Sequence, residues 1–441
     1  MSRAKKKGKD IQSASIRITY RYLAYPTDLQ EYRMENWLNS LCGLYNGAVA
    51  QRKESCRITG KSVTYGEQQN ELPGMKKADP ALRMVHSQVL QDCLQRVDKA
   101  YDKFFTDIAR KKSGEKIKAG YPRFKKPGRY VSFTYPQVWM KQKDRVTQAV
   151  KFRQDGSSRN AVITLPGIGE VKTRLHRQLD WSNARTVTVK RSPSGKWYVC
   201  VSVEVLHRPS LPDNGKNTGV DVGVLRTATV SDGSFREHPK FFCKSEKKLK
   251  KAQKTLSRKE PGRGGYRKQK LILAKRHEKI ANQRKDFLHK MSLWLVVMYS
   301  YIAFEKLNIQ AMAKNPHLAK AILDAGWGTL IRFVTYKSMM LRGNDVIRVN
   351  PAYTTQDCSR CGYRVPKTLA ERMHRCPQCG LEMDRDQNAA NVIELRAFGS
   401  NTVGQVLSKP AEEPLQNDGG DGVTALGLTR VSLVVDSGSP V

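Results

Sequence analysis

Between Thr218 and Asp232 the chain reads T-G-V-D-V-G-V-L-R-T-A-T-V-S-D, with Asp221 the one acid inside an apolar run. Val220, Val222, Val224, Thr227, Thr229 and Val230 are β-branched, the residues that fill two short buried strands joined by a tight turn at Leu225-Arg226. Burying an unpaired carboxylate costs on the order of several kcal/mol. Asp221 therefore either ends its strand facing water, or is protonated, paired with a cation, or holding a metal. The segments downstream decide between these.

A second acid stands the same way: Tyr301 to Phe304 form a short apolar strand that closes on Glu305. A third acidic site opens a helix, where D-R-D-Q-N-A-A-N-V-I (Asp384 to Ile393) puts Asp384 and Asp386 in the first turn. Acids are also ordinary partners of the helix dipole there, so this string alone is weak. Just before it, C-S-R-C (Cys358, Cys361) and C-P-Q-C (Cys376, Cys379) are fourteen residues apart, each followed by Gly. Two such knuckles bring four thiolates around one tetrahedral Zn²⁺, which serves folding because no ligand position is left for water. The other five of the nine cysteines (Cys42, Cys56, Cys93, Cys200, Cys243) stand singly, the usage of reduced cytosolic thiols rather than a disulfide framework.

Lys and Arg number 79 against 40 Asp and Glu, a formal charge of +39. Self-repulsion of that size calls for a polyanion, either nucleic acid or an acidic membrane. With no run of eighteen apolar residues and no signal peptide, the chain is read as cytoplasmic and nucleoid-associated, a nucleic-acid binder with no membrane partner. Residues 1–10 form a basic arm, read as a solvated tail. The block from Lys244 to Lys290 holds eighteen Lys or Arg against four acids, and glycines and Pro261 break it into two helices. Leu273, Ile280, Phe287 and Trp294 recur every seven residues in the second and mark its packed face.

Upstream, Ile16 to Tyr22 alternate as a strand and Thr27 to Gln30 is a capping box ahead of a stripe from Met34 to Val49, a long amphipathic helix. A second stripe runs from Leu90 through Tyr101, Phe104, Phe105 and Ile108, with its aromatics read as core and its polar face, Gln88 included, as a place to touch a duplex. From Gly120 the texture turns to strands. Tyr121, Phe124 and Tyr130 alternate with Arg123, Lys125, Lys126 and Arg129, which suits a groove where cations take phosphates and rings stack on bases. Thr186 to Lys190 and Trp197 to Val205 form a hairpin. With the first strand and Ala161 to Val171 they suggest a small β-barrel, the helices inserted between its first and second strands. Past Asn401, Gly, Ser, Pro and Asp dominate, and residues 401–441 are expected to be a disordered tail.

Strand with Asp221, second strand, basic helical excursion, strand ending in Glu305, helix, strand, then helix opening at Asp386 is the order of an RNase H-like fold. There three carboxylates converge on two Mg²⁺ ions about 4 Å apart, suited to in-line phosphodiester displacement. The strings G-V-D-V-G, F-E-K-L, C-x-x-C-G with C-P-x-C-G, and D-R-D-x-N-A-A, in this order, resemble the TnpB family, transposon-encoded RNA-guided nucleases related to type V CRISPR effectors. The resemblance covers Ile16 to about Phe398 and takes in Y-P-R-F-K, D-F-L-H-K (Asp286 to Lys290) and D-A-G-W-G (Asp324 to Gly328).

This resemblance implies an α/β multidomain protein whose RNase H-like nuclease domain is of RuvC type, with a zinc ribbon, preceded by a small wedge barrel with an inserted helical recognition lobe. The boundaries are the arm and first wedge strand at 1–25, the lobe at 26–118, the wedge at 119–212, the nuclease at 213–350 and 384–400, the ribbon at 351–383 and the tail at 401–441. It implies catalytic, Mg²⁺-binding roles for Asp221, Glu305 and Asp386, the last being the aspartate directly before x-N-A. It also implies a guide RNA from the transposon end, and target DNA, double- and single-stranded, cut beside a short motif. The oligomeric state stays open, with a monomer preferred. A nuclease-inactive RNA-guided repressor and a small type V CRISPR effector remain alternatives, and the core alone would also suit a transposase.

Overall fold

The computed structural model describes residues 15–142, 145–154, 159–206, 209–368, 370–399 and 432–435. The basic arm at 1–10 lies outside them. The chain divides into two units, one ending at Leu206 and taking in the C-terminal strand, the other beginning after it.

In the first unit, strand β1 (Ser15–Tyr25) leads to helix α1 (Asp28–Thr59) through the expected box: the Thr27 hydroxyl accepts the Gln30 N–H and Gln30 Oε1 accepts the Thr27 N–H at 3.0 Å. α1 buries Met34, Trp37, Leu38, Leu41, Leu44, Tyr45, Ala48 and Val49. Two helices that the periodicity did not announce follow, α2 (Tyr65–Ala78) and α3 (Pro80–Arg83), and then α4 (Ser87–Lys112). The stripe on α4 is core only as far as Tyr101. Phe105 is 56% exposed, because the helix runs past the helices it packs on.

Residues 119–131 are neither helix nor strand, so the strand texture read from Gly120 starts only at β2 (Ser132–Tyr135). There follow a separate hairpin of β3 (Trp139–Gln142) and β4 (Arg145–Gln148), then β5 (Lys151–Gln154), β6 (Asn160–Leu165), β7 (Gly169–Arg174), β8 (Ala184–Arg191) and β9 (Trp197–Leu206). The β stretch from Ala161 to Val171 is a hairpin, turning where Pro166 denies the ladder a donor and Gly167 takes φ +81°. The sheet order is β2-β8-β9-β1-β7-β6-β5, antiparallel throughout. Among the described residues β2 and β5 remain its two ends, so hydrogen bonds do not close the expected barrel. α1 packs on the sheet through Trp37 against Phe133, ring centres 5.4 Å apart.

The second unit starts with β10 (Asn217–Asp221), β11 (Arg226–Val230) and β12 (Phe235–Glu237). Next come the basic helices α5 (Phe241–Ser257) and α6 (Gly264–Met298), then β13 (Tyr301–Glu305), α7 (Ile309–Met312), α8 (Pro316–Ala325), α9 (Trp327–Arg342) and β14 (Ile347–Val349). A small hairpin, β15 (Met373–Arg375) with β16 (Glu382–Asp384), precedes α10 (Arg385–Phe398). The sheet order is β12-β11-β10-β13-β14, with β10, β13 and β14 parallel. One face is covered by α6 and α9, where Val220, Val230, Ile302 and Phe304 share a core with Leu288, Met291, Leu295, Leu330 and Val334. Of the seven-residue repeat on α6 only Ile280 is fully buried. Phe287 and Trp294 are partly buried against the core, and the deepest residues are Leu288, Met291 and Leu295, at the three- and four-residue steps of a helix.

Within the tail, residues 401–431 and 436–441 lie outside the described part. Against the expectation of disorder, Ser432–Val435 form strand β17, paired parallel to β1 from Arg17↔Ser432 to Tyr20↔Val435. Leu433, Val434 and Val435 are a run of three apolar residues, two of them β-branched. No helix among the described residues is long and apolar enough to cross a membrane.

Candidate active site and cysteine cluster

Side chains alternate along a strand, so the core face fixes the other face. Val220 and Phe304 are paired neighbours in parallel β10 and β13 and point to α6 and α9. One step further along the same register sets Asp221 beside Glu305, both turned to the opposite face, where α10 lies. Gly219 and Ala303, one step back from Val220 and Phe304, form the floor under α10. A Cβ on Gly219 would stand 2.0 Å from the Ala390 carbonyl oxygen and 2.5 Å from the Glu394 nitrogen. Only glycine lets the helix rest on the strand, and one turn before Ala390 the helix carries Asp386. The two strand-end acids and the helix-start acid therefore meet at the carboxyl edge of a parallel sheet, the usual place for a ligand in such sheets.

The electrostatics agree with this placement. Burial raises the Asp221 carboxyl well above the usual range, with Glu305 and then Asp386 adding to it and Arg385 opposing. Glu305 is buried and also raised by burial, while the Thr354 hydroxyl, which donates to its Oε1, and the charges of Arg396 and Arg348 draw it back. The three carboxylates do not form a tight cage. Among the described residues, only the four cysteines have ligand atoms all within 4.8 Å of one another. An open set of acids suits Mg²⁺, which keeps waters and takes substrate phosphates alongside one or two carboxylates.

Asp384 is elsewhere engaged. Its Oδ1 caps α10, accepting from the N–H groups of Asp386 and Gln387, and its Oδ2 pairs with Arg226 at 2.9 Å.

Cys358 Sγ lies 3.6 Å from Cys379 Sγ, and Cys361 Sγ 3.5 Å from Cys376 Sγ. Four sulfurs around a tetrahedral zinc, each at about 2.3 Å, stand about 3.8 Å apart, so this donor set fits that ion. Burial raises Cys376, but the N–H groups of Cys379 and Gln378 and the thiols of Cys361 and Cys379 together bring it down to about 6. Cys361, against the lowering by the Tyr363 N–H, is pushed up to about 12 by burial and by the neighbouring thiols, Cys376 first.

The cluster is fastened to α10. Fully buried Asn388 accepts the Ser359 N–H at 3.0 Å and donates to the Asp357 carbonyl at 2.8 Å, while Arg396 grips Asp357 at 2.7 Å and the carbonyls of Asn350 and Ala352. Asn388 was visible in the N-A-A string. Thr354 had no sequence signal, being a loop threonine. The D-A-G-W-G string also has a role here: Trp327 Nε1 donates to the Gly223 carbonyl at 3.1 Å, tying α9 to the turn after Asp221. Asp324, buried, accepts from Arg284 at 2.8 Å and from the Phe242 N–H that opens α5.

Among the residues read as nucleic-acid contacts, Tyr121, Arg123, Phe124, Lys125, Lys126 and Arg129 are exposed. Their segment is pinned rather than loose, because Asn46 holds the Lys125 N–H at 2.7 Å and its carbonyl at 2.9 Å. Gln88 is a correction. It is buried with its Nε2 against Met140 Sδ, since it sits on the side of α4 that faces the sheet unit and not on the polar face.

Two family models match, OrfB_IS605, "Probable transposase", over residues 198–316, and "Cas12f1-like, TNB domain" over residues 327–393. "Putative RNA-guided DNA endonuclease InsQ" of Escherichia coli strain K12 is 32% identical over 392 residues, covering 85% of this chain and 90% of that protein. A "Putative RNA-guided DNA endonuclease" of Streptomyces pristinaespiralis is 28% identical over 404 residues, 90% of this chain and 93% of its own. Further relatives carry the name "TnpB-like protein". The fold is shared with the protein of a Cas12f1-sgRNA-target DNA complex solved by cryo-EM, at a TM-score of 0.55 and 13% identity, over 83% of this chain and 82% of that one. The architecture is accordingly α/β and multidomain.

Proposed function

We propose, since the chain belongs to the TnpB family, that it is an RNA-guided DNA endonuclease that cuts target DNA beside a short motif. The observation that carries the cutting step is the convergence of Asp221, Glu305 and Asp386 at one sheet edge. In this reading the three carboxylates hold two Mg²⁺ ions, which supply Lewis-acid stabilisation and an activated water for phosphodiester hydrolysis. Glu305 is held in place by Thr354, Asp386 by the landing of α10 on Gly219, and Asp221 by its strand. The unit from β10 to α10 is then a RuvC-like nuclease domain, interrupted at 351–383 by a zinc ribbon in which Cys358, Cys361, Cys376 and Cys379 bind one structural ion.

The helices at 26–118 and the sheet at 119–212 are read as the recognition lobe and wedge. Their partners are a guide RNA from the transposon end and the target DNA, as double strand and then as displaced single strand, in the cytoplasm on the nucleoid, with one chain per guide. Tyr121, Arg123, Phe124, Lys125, Lys126 and Arg129 form an exposed basic and aromatic segment suited to backbone and base-stacking contacts. A repressor that has lost cleavage would be expected to lack one of the acids, and all three are present.

The test is guided cleavage and guided binding measured side by side for the wild type and for Asp221→Ala, Glu305→Ala and Asp386→Ala. Each single change should abolish cutting nearly as fully as the triple change, because the carboxylates act as a unit. Target binding should persist, since base pairing and phosphate contacts carry it. Full cleavage by Asp221→Ala would overturn the site. Strand transfer of transposon ends in place of target cutting would favour a transposase.

A further inference from the structure

Arg385 stands between Asp384 and Asp386 as the first residue of α10, where the helix dipole disfavours a cation. Its side chain is nonetheless turned inward, with only 13% exposed. Nη1 donates to the Glu371 carbonyl at 3.0 Å, and its backbone N–H to the Arg372 carbonyl at 2.7 Å, so it is tied to the chain leading into β15. Its Nε lies 3.5 Å from Asp386 Oδ1, and its charge is the cation that opposes the upward shift of Asp221. Neighbouring Asp384 does not provide this anion, because it is used on the helix cap and on Arg226.

We infer that Arg385 is a positioning residue, a built-in counter-cation whose guanidinium and a divalent ion are alternative partners of the Asp386 carboxylate. This rests on the reading of Asp221, Glu305 and Asp386 as a metal site. In the absence of metal, the Arg385 guanidinium is the cation beside Asp386 Oδ1 and, through the Glu371 carbonyl, holds the start of α10 in place. With an ion on Asp386, the guanidinium would give up that carboxylate and keep its bond to the Glu371 carbonyl. Two cations competing for one carboxylate bind with negative coupling, and that coupling is measurable without cleavage.

The experiment is calorimetric titration of Mn²⁺ into the full chain after nuclease treatment, with melting temperatures in EDTA and in Mn²⁺, for the wild type, Arg385→Gln, Arg385→Lys and Asp221→Asn. Arg385→Gln should bind Mn²⁺ about fivefold tighter, and its melting temperature should fall in EDTA with the loss largely restored by Mn²⁺. Arg385→Lys, which keeps the charge, should stay within about twofold of the wild-type affinity. Arg385→Gln folded only with Mn²⁺ supports the inference just as well. Unchanged affinity, or a loss of stability equal in both buffers, assigns Arg385 a purely structural hold on Glu371 and overturns it. If Asp221→Asn binds Mn²⁺ as the wild type does, the metal site itself is misplaced, a failure separate from that of Arg385.

Discussion

Asp384 and Asp386 are two residues apart on one helix start, and their partners separate them. Asp384 spends both oxygens on protein groups, the cap N–H groups and Arg226, whereas Asp386 faces Asp221 and Arg385. Asp384→Ala should therefore cost about 1 kcal/mol of stability through the lost cap and keep cutting. Asp386→Ala should fold and not cut. Thermal melts and a cleavage assay on both variants check this, and loss of cutting with Asp384→Ala alone would move the third ligand by two residues. The sequence carried this distinction only in the placement of Asp386 before x-N-A. What it did not carry is the hydroxyl beneath Glu305. Removing it with Thr354→Val strips a buried carboxylate oxygen of its donor, a loss of about 1–3 kcal/mol. It should show as a lower melting temperature and slower cutting at limiting Mg²⁺.

At the scale of elements, the strands bearing the acids were legible because each is a short apolar run with one acid in it. The landing of α10 was not legible, since G-V-D says nothing of what crosses the glycine. Gly219→Ala should push α10 off β10, as a Cβ has no space beside the Ala390 carbonyl. The expected outcome is a loss of at least about 1–3 kcal/mol in stability, the usual cost of overpacking, together with loss of cutting as Asp386 moves away. The cysteine cluster acts on the same helix through Asn388 and Arg396. Cys376→Ser should release the one zinc expected by elemental analysis and loosen the chain from Gln356 to Gly380. Cutting would then be lost through misplaced Asp386 rather than through the chemistry. Fully active protein with no zinc would refute the assignment. The seven-residue repeat on α6 marked the packed side, with Ile280 buried and Phe287 and Trp294 against the core, but it missed Leu288, Met291 and Leu295, which lie deepest.

For the molecule as a whole, charge was the most legible property and internal organisation the least. Helices α2 and α3 carry too few apolar residues to show a stripe, and β17 pairs with the opposite end of the chain, a contact no local pattern records. The charge of +39 has a direct consequence. The helices α5 and α6 bury one face and leave their lysines and arginines on the others, too extended a surface for a small ligand. The purified chain should therefore carry a long structured RNA, seen as an absorbance ratio of nucleic acid that nuclease digestion removes. Because phosphate contacts release counterions, raising salt from 50 to 200 mM should weaken re-binding of that RNA steeply, by about a thousandfold or more if six or more phosphates are neutralised. Cleavage should follow the RNA: stripped protein should lose sequence-specific cutting and regain it with the same RNA added back. A soluble, RNA-free preparation that still cuts a defined target would remove the guide from this mechanism, and would leave the basic helices to explain as contacts to the DNA alone.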